Sequence, residues 1–419
     1  MKPLNVQSIR IKNFKAIQDT DEIKLTPLTA IIGGNGSGKS SFIEGLETYQ
    51  QIVGQGLGPA LRRWRGFEYV RNNAVPHSSQ TPRRLSRTIE ETDEAGTATR
   101  RVRLHEQLTQ IYESNPIDFT VKGNTRGGSY SVGMTVSASP GSDVVFIQNE
   151  QVIVKGKKII HRNDDGGVYF PPEEKNKLWP LQYQLPTDES VISPYRRDNA
   201  AVKAIADDIL DWQFVTLNPV SMGDPRGRQQ TAGRVRLNSD GSNIAEYLLD
   251  IYNKDTDAFN GLVDTLKDII PYASDFRPNS IQDIDRSVYL EMIEGKFPVR
   301  GWMLSSGTLR VVALLALLRH PSPPPLIVIE EIENGLDPST LHILIDEISY
   351  VVKNGISQII FTTHSPYLLD YLSIDHILLV ERSENQPVFY RPSDEVKLEG
   401  WKDHFRVGEL YTTGRLRRK

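Results

Sequence analysis

The stretch GGNGSGKS (Gly33–Ser40) has the spacing G-x-x-x-x-G-K-[ST]. A phosphate chain needs several backbone N–H groups aimed at it, and glycines let a loop curl closely enough to supply them. Gly33, Gly34, Asn35, Gly36, Ser37 and Gly38 would form that cradle, with Ser41 adjoining it. Lys39 would reach the β- and γ-phosphates, and the Ser40 hydroxyl would sit on Mg2+. A second stretch, LIVIEEIENGLDP (Leu326–Pro338), runs four apolar residues into two adjacent glutamates. Carboxylates side by side repel, and one near a core is costly unless a cation meets it. The Mg2+ implied by the first stretch is that cation. Glu330 would face the metal, and Glu331 would face the water that attacks the γ-phosphate. The usual residue at the first position is aspartate. The extra methylene of Glu330 calls for a metal-bound water between or a small shift of the strand end.

Both stretches need a strand to deliver them. AII precedes the glycine-rich loop and FIEGLETY follows it, which gives strand, loop and helix in order. The helix start adds a positive dipole end beneath the phosphates. LIVI reads as a buried strand, and SQIIFTTHSP as a second strand running into a loop that carries His364. A lone histidine is usually structural, but this one follows a strand end, where α/β ligand sites form. WMLSSGTLRVVALLALLRH reads as a loop entering a buried, serine-capped helix. VQSIRIKNF alternates and predicts an edge or half-buried strand. YSVGMTV, VVFIQ, VIVKGKKII and GGVYF predict antiparallel sheet. NAAVKAIADDILDW and DAFNGLVDTLKDIIP carry helical stripes, and RSVYLEMIEGKFPV predicts a hairpin turning near Glu294-Gly295.

The totals bound these readings. The chain has 419 residues, 38% hydrophobic and 24% charged, which allows a packed core and argues against wholesale disorder. A net charge of −4 announces no general affinity for nucleic acid. The absence of cysteine excludes disulfides and thiolate metal sites and fits a reducing cytoplasm. The N-terminus shows no apolar signal segment, and VVALLALL, the longest apolar run, is far too short to span a bilayer. The sequence therefore predicts a cytoplasmic protein with no membrane contact.

LSSGTLR, just before the acidic strand, resembles the signature motif of the ABC ATPase superfamily, in which a serine at a helix start on one subunit binds the γ-phosphate held by the other. By that match Ser305 is the contacting serine and Gly307 the close-approach glycine. Ser306 departs from the usual glycine and Thr308 from the usual Gln or Glu. The resemblance further implies that Asp337 is the D-loop aspartate at a dimer interface and that His364 is the switch histidine. Gln148, Gln182 and Gln184 stand equally as the Q-loop glutamine. The chain between Lys39 and Ser305 is longer than in a transporter domain and shorter than in a coiled-coil SMC protein. IRIKNFKAI, IEEIENGLDP and FTTHSPYLLD are similar to the RecF-like and OLD-like ATPases, and the short chain after His364 shows no Toprim acidic set.

The fold expected is α/β: an ABC-ATPase head with a mixed sheet around a P-loop core, an antiparallel β subdomain and a helical insertion. The expected division is 1–54 and 285–385 for the ATPase core, 55–128 for a basic, partly ordered insertion, 129–195 for the β-rich part, 196–284 for a helical subdomain and 386–419 for a tail. Arg62, Arg63, Arg65, Arg71, Arg83, Arg84, Arg87, Arg100, Arg101 and Arg103 outnumber the acids around them. They read equally as a phosphate-backbone grip and as a solvated or partner-binding surface. The resemblance implies a Mg2+-dependent ATPase that closes as a homodimer or larger homo-oligomer around ATP, as the sensor or switch of an anti-phage system with a separately encoded effector, such as a nuclease. A RecF-like DNA-binding repair or DNA-end factor is the alternative, and a transporter subunit fits least.

Overall fold

The computed structural model describes residues 6–72, 88–92, 98–103, 115–125, 127–139, 144–162, 167–169, 183–227, 234–280, 287–394 and 405–417. A six-stranded core sheet has the order Gln213–Val215, Leu326–Ile329, Gln358–Thr363, Leu28–Ile32, Ile377–Ser383, Gln386–Tyr390. Every neighbouring pair is parallel except the last, a hairpin. Alternate residues of these strands feed two apolar clusters. Ile31, Val328 and Ile360 face one cluster, while Ile32, Ile329 and Phe361 face the other. Both faces are covered, which is why LIVI and QIIF read as continuous apolar runs instead of alternating.

On one face lies the helix Lys39–Gln55, with an antiparallel nine-stranded sheet beyond it. On the other lie the helices Ile244–Lys254, Thr256–Ile269, Ser306–Leu318 and Pro338–Lys353. A four-stranded sheet, built on the expected hairpin Ser287–Glu294 and Phe297–Arg300, packs with the first two of these helices. The α/β head around a P-loop core is thus as expected.

Several local readings need correction. Of the two readings of Val6–Phe14, half-buried holds and edge does not: it pairs with Ile117–Thr125 on one side and with Ile17–Asp19 and Ile23–Lys24 on the other. Ile117–Thr125 itself falls in the stretch read as insertion, although its Ile117, Phe119 and Val121 alternate inward. VVFIQ and VIV are one strand, Val145–Val154, because the polar NEQ between them includes Glu150, which is fully buried. Gln213–Val215, in the stretch read as helical, joins the core sheet beside the acidic strand. Three residues are too short a run for periodicity to register. Among the described residues no helix is long and apolar enough to cross a membrane.

Candidate active site

The glycine-rich loop leaves the strand Leu28–Ile32 and enters its helix through Gly38. Gly38 has φ 116°, and a Cβ there would lie 2.5 Å from Pro387 of the edge hairpin, so only glycine fits. Asn35 and Gly36 are exposed, Ser37 and Lys39 are buried, and Ser41 is half-buried. The Lys39 ammonium donates to the carbonyls of Gly33 (2.8 Å) and Gly34 (3.1 Å), which holds it at the loop mouth. Burial lowers its pKa, opposed by the charges of Glu331, Glu333 and Glu330. A lysine in that balance is a cation surrounded by carboxylates yet poorly hydrated, suited to meeting a polyanion.

Ser40 and Glu330, 290 residues apart in sequence, come within hydrogen-bond distance: Ser40 Oγ donates to Glu330 Oε2 at 3.3 Å. Burial raises the Glu330 pKa, and the nearby Glu44 raises it further, with Ser40 opposing. A hydroxyl beside a half-buried carboxylate that lacks a cation offers the hard oxygen donors Mg2+ takes. No group of three or more His, Cys, Asp or Glu residues among the described ones could hold a metal alone.

Glu331 adopts φ 48°, left-handed backbone that a non-glycine residue holds only under tertiary constraint. The constraint is visible: the Glu331 N–H donates to Thr362 Oγ1 at 2.8 Å, and Asn334 Nδ2 donates to Glu331 Oε2 at 3.3 Å. The turn sends the carboxylate out to solvent at the strand end. His364 follows the next strand, and its backbone N–H donates to Glu333 Oε1 at 2.5 Å. Burial lowers the His364 imidazole pKa and Lys39 lowers it further, against Glu333 and Glu331. Both effects favour the neutral ring.

Ser305 and Asp337 lie apart from this group. The Ser305 hydroxyl caps its helix, accepting from the Thr308 N–H at 3.1 Å and lying 2.9 Å from Thr308 Oγ1. Thr308, the departure from the expected motif, thus meets the capping serine through both its N–H and its hydroxyl. Asp337 caps the helix Pro338–Lys353, and bonds from Ser339 and Thr340 pull its carboxyl down to about 2. Ser305, Gly307 and Asp337 line one cavity of about 380 Å3 together with Tyr272 and Thr340. A Cβ on Gly307 would come 2.7 Å from the Gly335 carbonyl, so the signature turn lies directly on the turn after Glu331.

Sequence reasoning missed Glu333, Thr362 and Arg310. Arg310 lies over Gly335 on the signature helix, with burial lowering its pKa and Glu331 opposing. Their signals were faint: a third acid after a double glutamate, and a threonine inside a strand. Among the glutamines, Gln148 lies on Val145–Val154 of the nine-stranded sheet and Gln184 in the short strand Tyr183–Gln184, while Gln182 is outside the described residues. The arginines are partly spoken for. Arg63 pairs with Glu47 and Arg71 with Glu68, both at 2.5 Å, while Arg100, Arg101 and Arg103 lie on the strand Ala98–Arg103. Arg83, Arg84 and Arg87 lie outside the described residues.

In fold the chain is similar to an SMC head solved bound to the C-terminal winged-helix domain of ScpA, at 14% identity and TM-score 0.50, covering 92% of this chain and 97% of that one. An SMC head domain from Thermotoga maritima matches at 12% identity and TM-score 0.42, covering 92% and 98%. No curated protein matches the chain. Residues 5–51 match the family described as "AAA ATPase domain". Residues 160–370, just over half of the chain, match the family described as "AAA domain, putative AbiEii toxin, Type IV TA system", and the chain belongs to that family of AAA ATPase domains.

Proposed function

We propose that the chain is a Mg2+-dependent ATPase that closes head-to-tail with a second copy around ATP and acts as the switch subunit of an anti-phage system, governing a separately encoded effector. The observation that carries the ATPase reading is the meeting of Ser40 with Glu330 beside Lys39, Glu331 and His364. Lys39 binds the β- and γ-phosphates. Ser40 and Glu330 hold Mg2+, which neutralises phosphate charge. Glu331 orients the attacking water and takes its proton as the water oxygen bonds to the γ-phosphorus and the β–γ bridging oxygen leaves with ADP. His364 donates a hydrogen bond to a γ-phosphate oxygen.

Ser305 and the helix start behind it cover the γ-phosphate on the second copy. Support comes from two exposed apolar side chains beside Ser305: Met303, two residues before it, is 68% exposed, and Tyr272, which lines the same cavity, is 56% exposed. Such residues suit a surface that another chain covers. The defence role rests on the AbiEii-type family and is tested in cells: with the neighbouring gene present, wild type should protect against phage and Lys39→Ala should not. Equal protection by both would overturn the role of ATP. For the ATPase itself, Lys39→Ala should lose nucleotide affinity in calorimetry, and near-normal binding would remove the phosphate-loop assignment.

The hairpin Thr88–Thr92 and Ala98–Arg103, with its arginines, favours a second reading, a RecF-like DNA-binding ATPase. Steeply salt-dependent binding to duplex DNA alone would select it.

A further inference from the structure

We propose that Glu333 is a positioning residue that fixes the His364 loop, and that the C-terminal helix Val407–Thr412 walls its socket. This rests on the reading of His364 given above. The backbone N–H of His364 points at Glu333 Oε1, 2.5 Å away, across two strand ends 31 residues apart in sequence. That bond is the tether that sets where the loop after Gln358–Thr363 begins. The other oxygen, Glu333 Oε2, is buried and accepts no hydrogen bond from the described residues. A carboxylate oxygen kept in that condition costs stability, which fold packing alone has no reason to retain. Nearby charge explains how it is tolerated, since Lys39 lies in the field of Glu333.

The helix Val407–Thr412 contributes the wall. Gly408 approaches so closely that a Cβ there would collide with the Pro366 carbonyl, and its N–H donates to Asp370 Oδ1 at 2.9 Å. Pro366 opens, and Asp370 caps, the short helix Pro366–Leu369 that the His364 loop enters. Val407 and Leu410 share a core cluster with Leu368 and Leu369, which pins the two helices together. Tyr411, one turn on, is within electrostatic reach of Glu333. The histidine loop is therefore held from below by a glutamate of the acidic turn and from the side by the end of the chain.

The test compares Glu333→Ala, Glu333→Gln and Glu333→Asp with His364→Ala. Glutamine keeps an oxygen for the His364 N–H; alanine removes it, and aspartate is a methylene too short. Glu333→Ala and Glu333→Asp should lower kcat by on the order of 10- to 100-fold while KM for ATP changes little, and Glu333→Gln should stay near wild type. In the His364→Ala background Glu333→Ala should add no further loss, because it acts through that residue. Hydrogen exchange reads the tether without hydrolysis: residues 362–368 should exchange faster in Glu333→Ala and Glu333→Asp, and the phosphate loop should not. Unchanged exchange there, or a loss that multiplies with that of His364→Ala, would overturn the proposal. If exchange rises as expected but His364→Ala hydrolyses normally, the role of His364 falls while the tether stands. Should Glu333→Ala not fold, Glu333→Asp carries the same comparison.

Discussion

Glu331 holds a left-handed backbone that costs on the order of 1 kcal/mol for a residue with a Cβ. Thr362 and Asn334 hold it there, so the strain serves a direction: the carboxylate leaves the sheet where phosphate chemistry would occur. Glu331→Gln keeps the shape and the contacts of Lys39 and Ser40. ATP should still bind, while phosphate release should fall by about 10²–10⁴-fold, or about 3–5 kcal/mol of barrier. Glu330→Gln should instead weaken nucleotide affinity together with rate, because it strips charge from the metal side. Parallel calorimetry and phosphate-release assays separate the two, and wild-type hydrolysis by Glu331→Gln would end its role as base. The phosphate loop was legible because its residues are consecutive. Thr362 and Glu333 were not, since each matters only through a partner some 31 residues away that the fold brings near.

At the scale of elements, legibility followed length and burial on two faces. The helix Ser306–Leu318, buried along nearly all its length, was plain, as were LIVI and QIIF. Strand Val145–Val154 was broken in the reading because a buried Glu150 mimics a loop. Ser190 Oγ donates to its carboxyl at 2.6 Å and the Val191 N–H at 2.8 Å, tying the strand to the segment before the helix Ala200–Leu210. Burial raises the Glu150 pKa to about 7, with Ser190, Val191 and Arg162 opposing. A carboxyl whose pKa is higher folded than unfolded binds more protons in the native state. Its contribution is thus fully present below its unfolded value and is lost as pH rises through about 7. Wild type should lose stability from about pH 4.5 to about pH 7 through this residue, by up to about 3 kcal/mol. Glu150→Gln should flatten that part of the curve. Denaturant titrations of both proteins across this range check it, and parallel curves would mean that Glu150 stays ionised throughout.

At the scale of the whole molecule, the proposed head-to-tail pairing turns on where two groups of residues lie. Lys39, Ser40, Glu330, Glu331 and His364 gather on one side, while Ser305, Gly307 and Asp337 line a separate cavity on the same chain. The Ser305 hydroxyl spends its hydrogen bonds on its own helix start, with the Thr308 N–H and hydroxyl. If each γ-phosphate is bound by the loop of one copy and the serine of the other, the defects of two inactive variants should cancel in part. Lys39→Ala should be inactive because its own loop is empty of charge, and Ser305→Arg because a long side chain blocks the partner's phosphate. In an equal mixture about half of the dimers pair one with the other. Each such pair concentrates both lesions at one site and leaves the second intact, formed by the Ser305→Arg copy's loop and the Lys39→Ala copy's serine. Phosphate release should return to about a quarter of the wild-type rate, since half of the dimers each keep one of two sites. A transfer-of-charge lesion within a single chain could not be rescued this way. A mixture no more active than its separate components would therefore remove the head-to-tail dimer and the role of LSSG with it, while leaving the phosphate loop and Glu331 untouched.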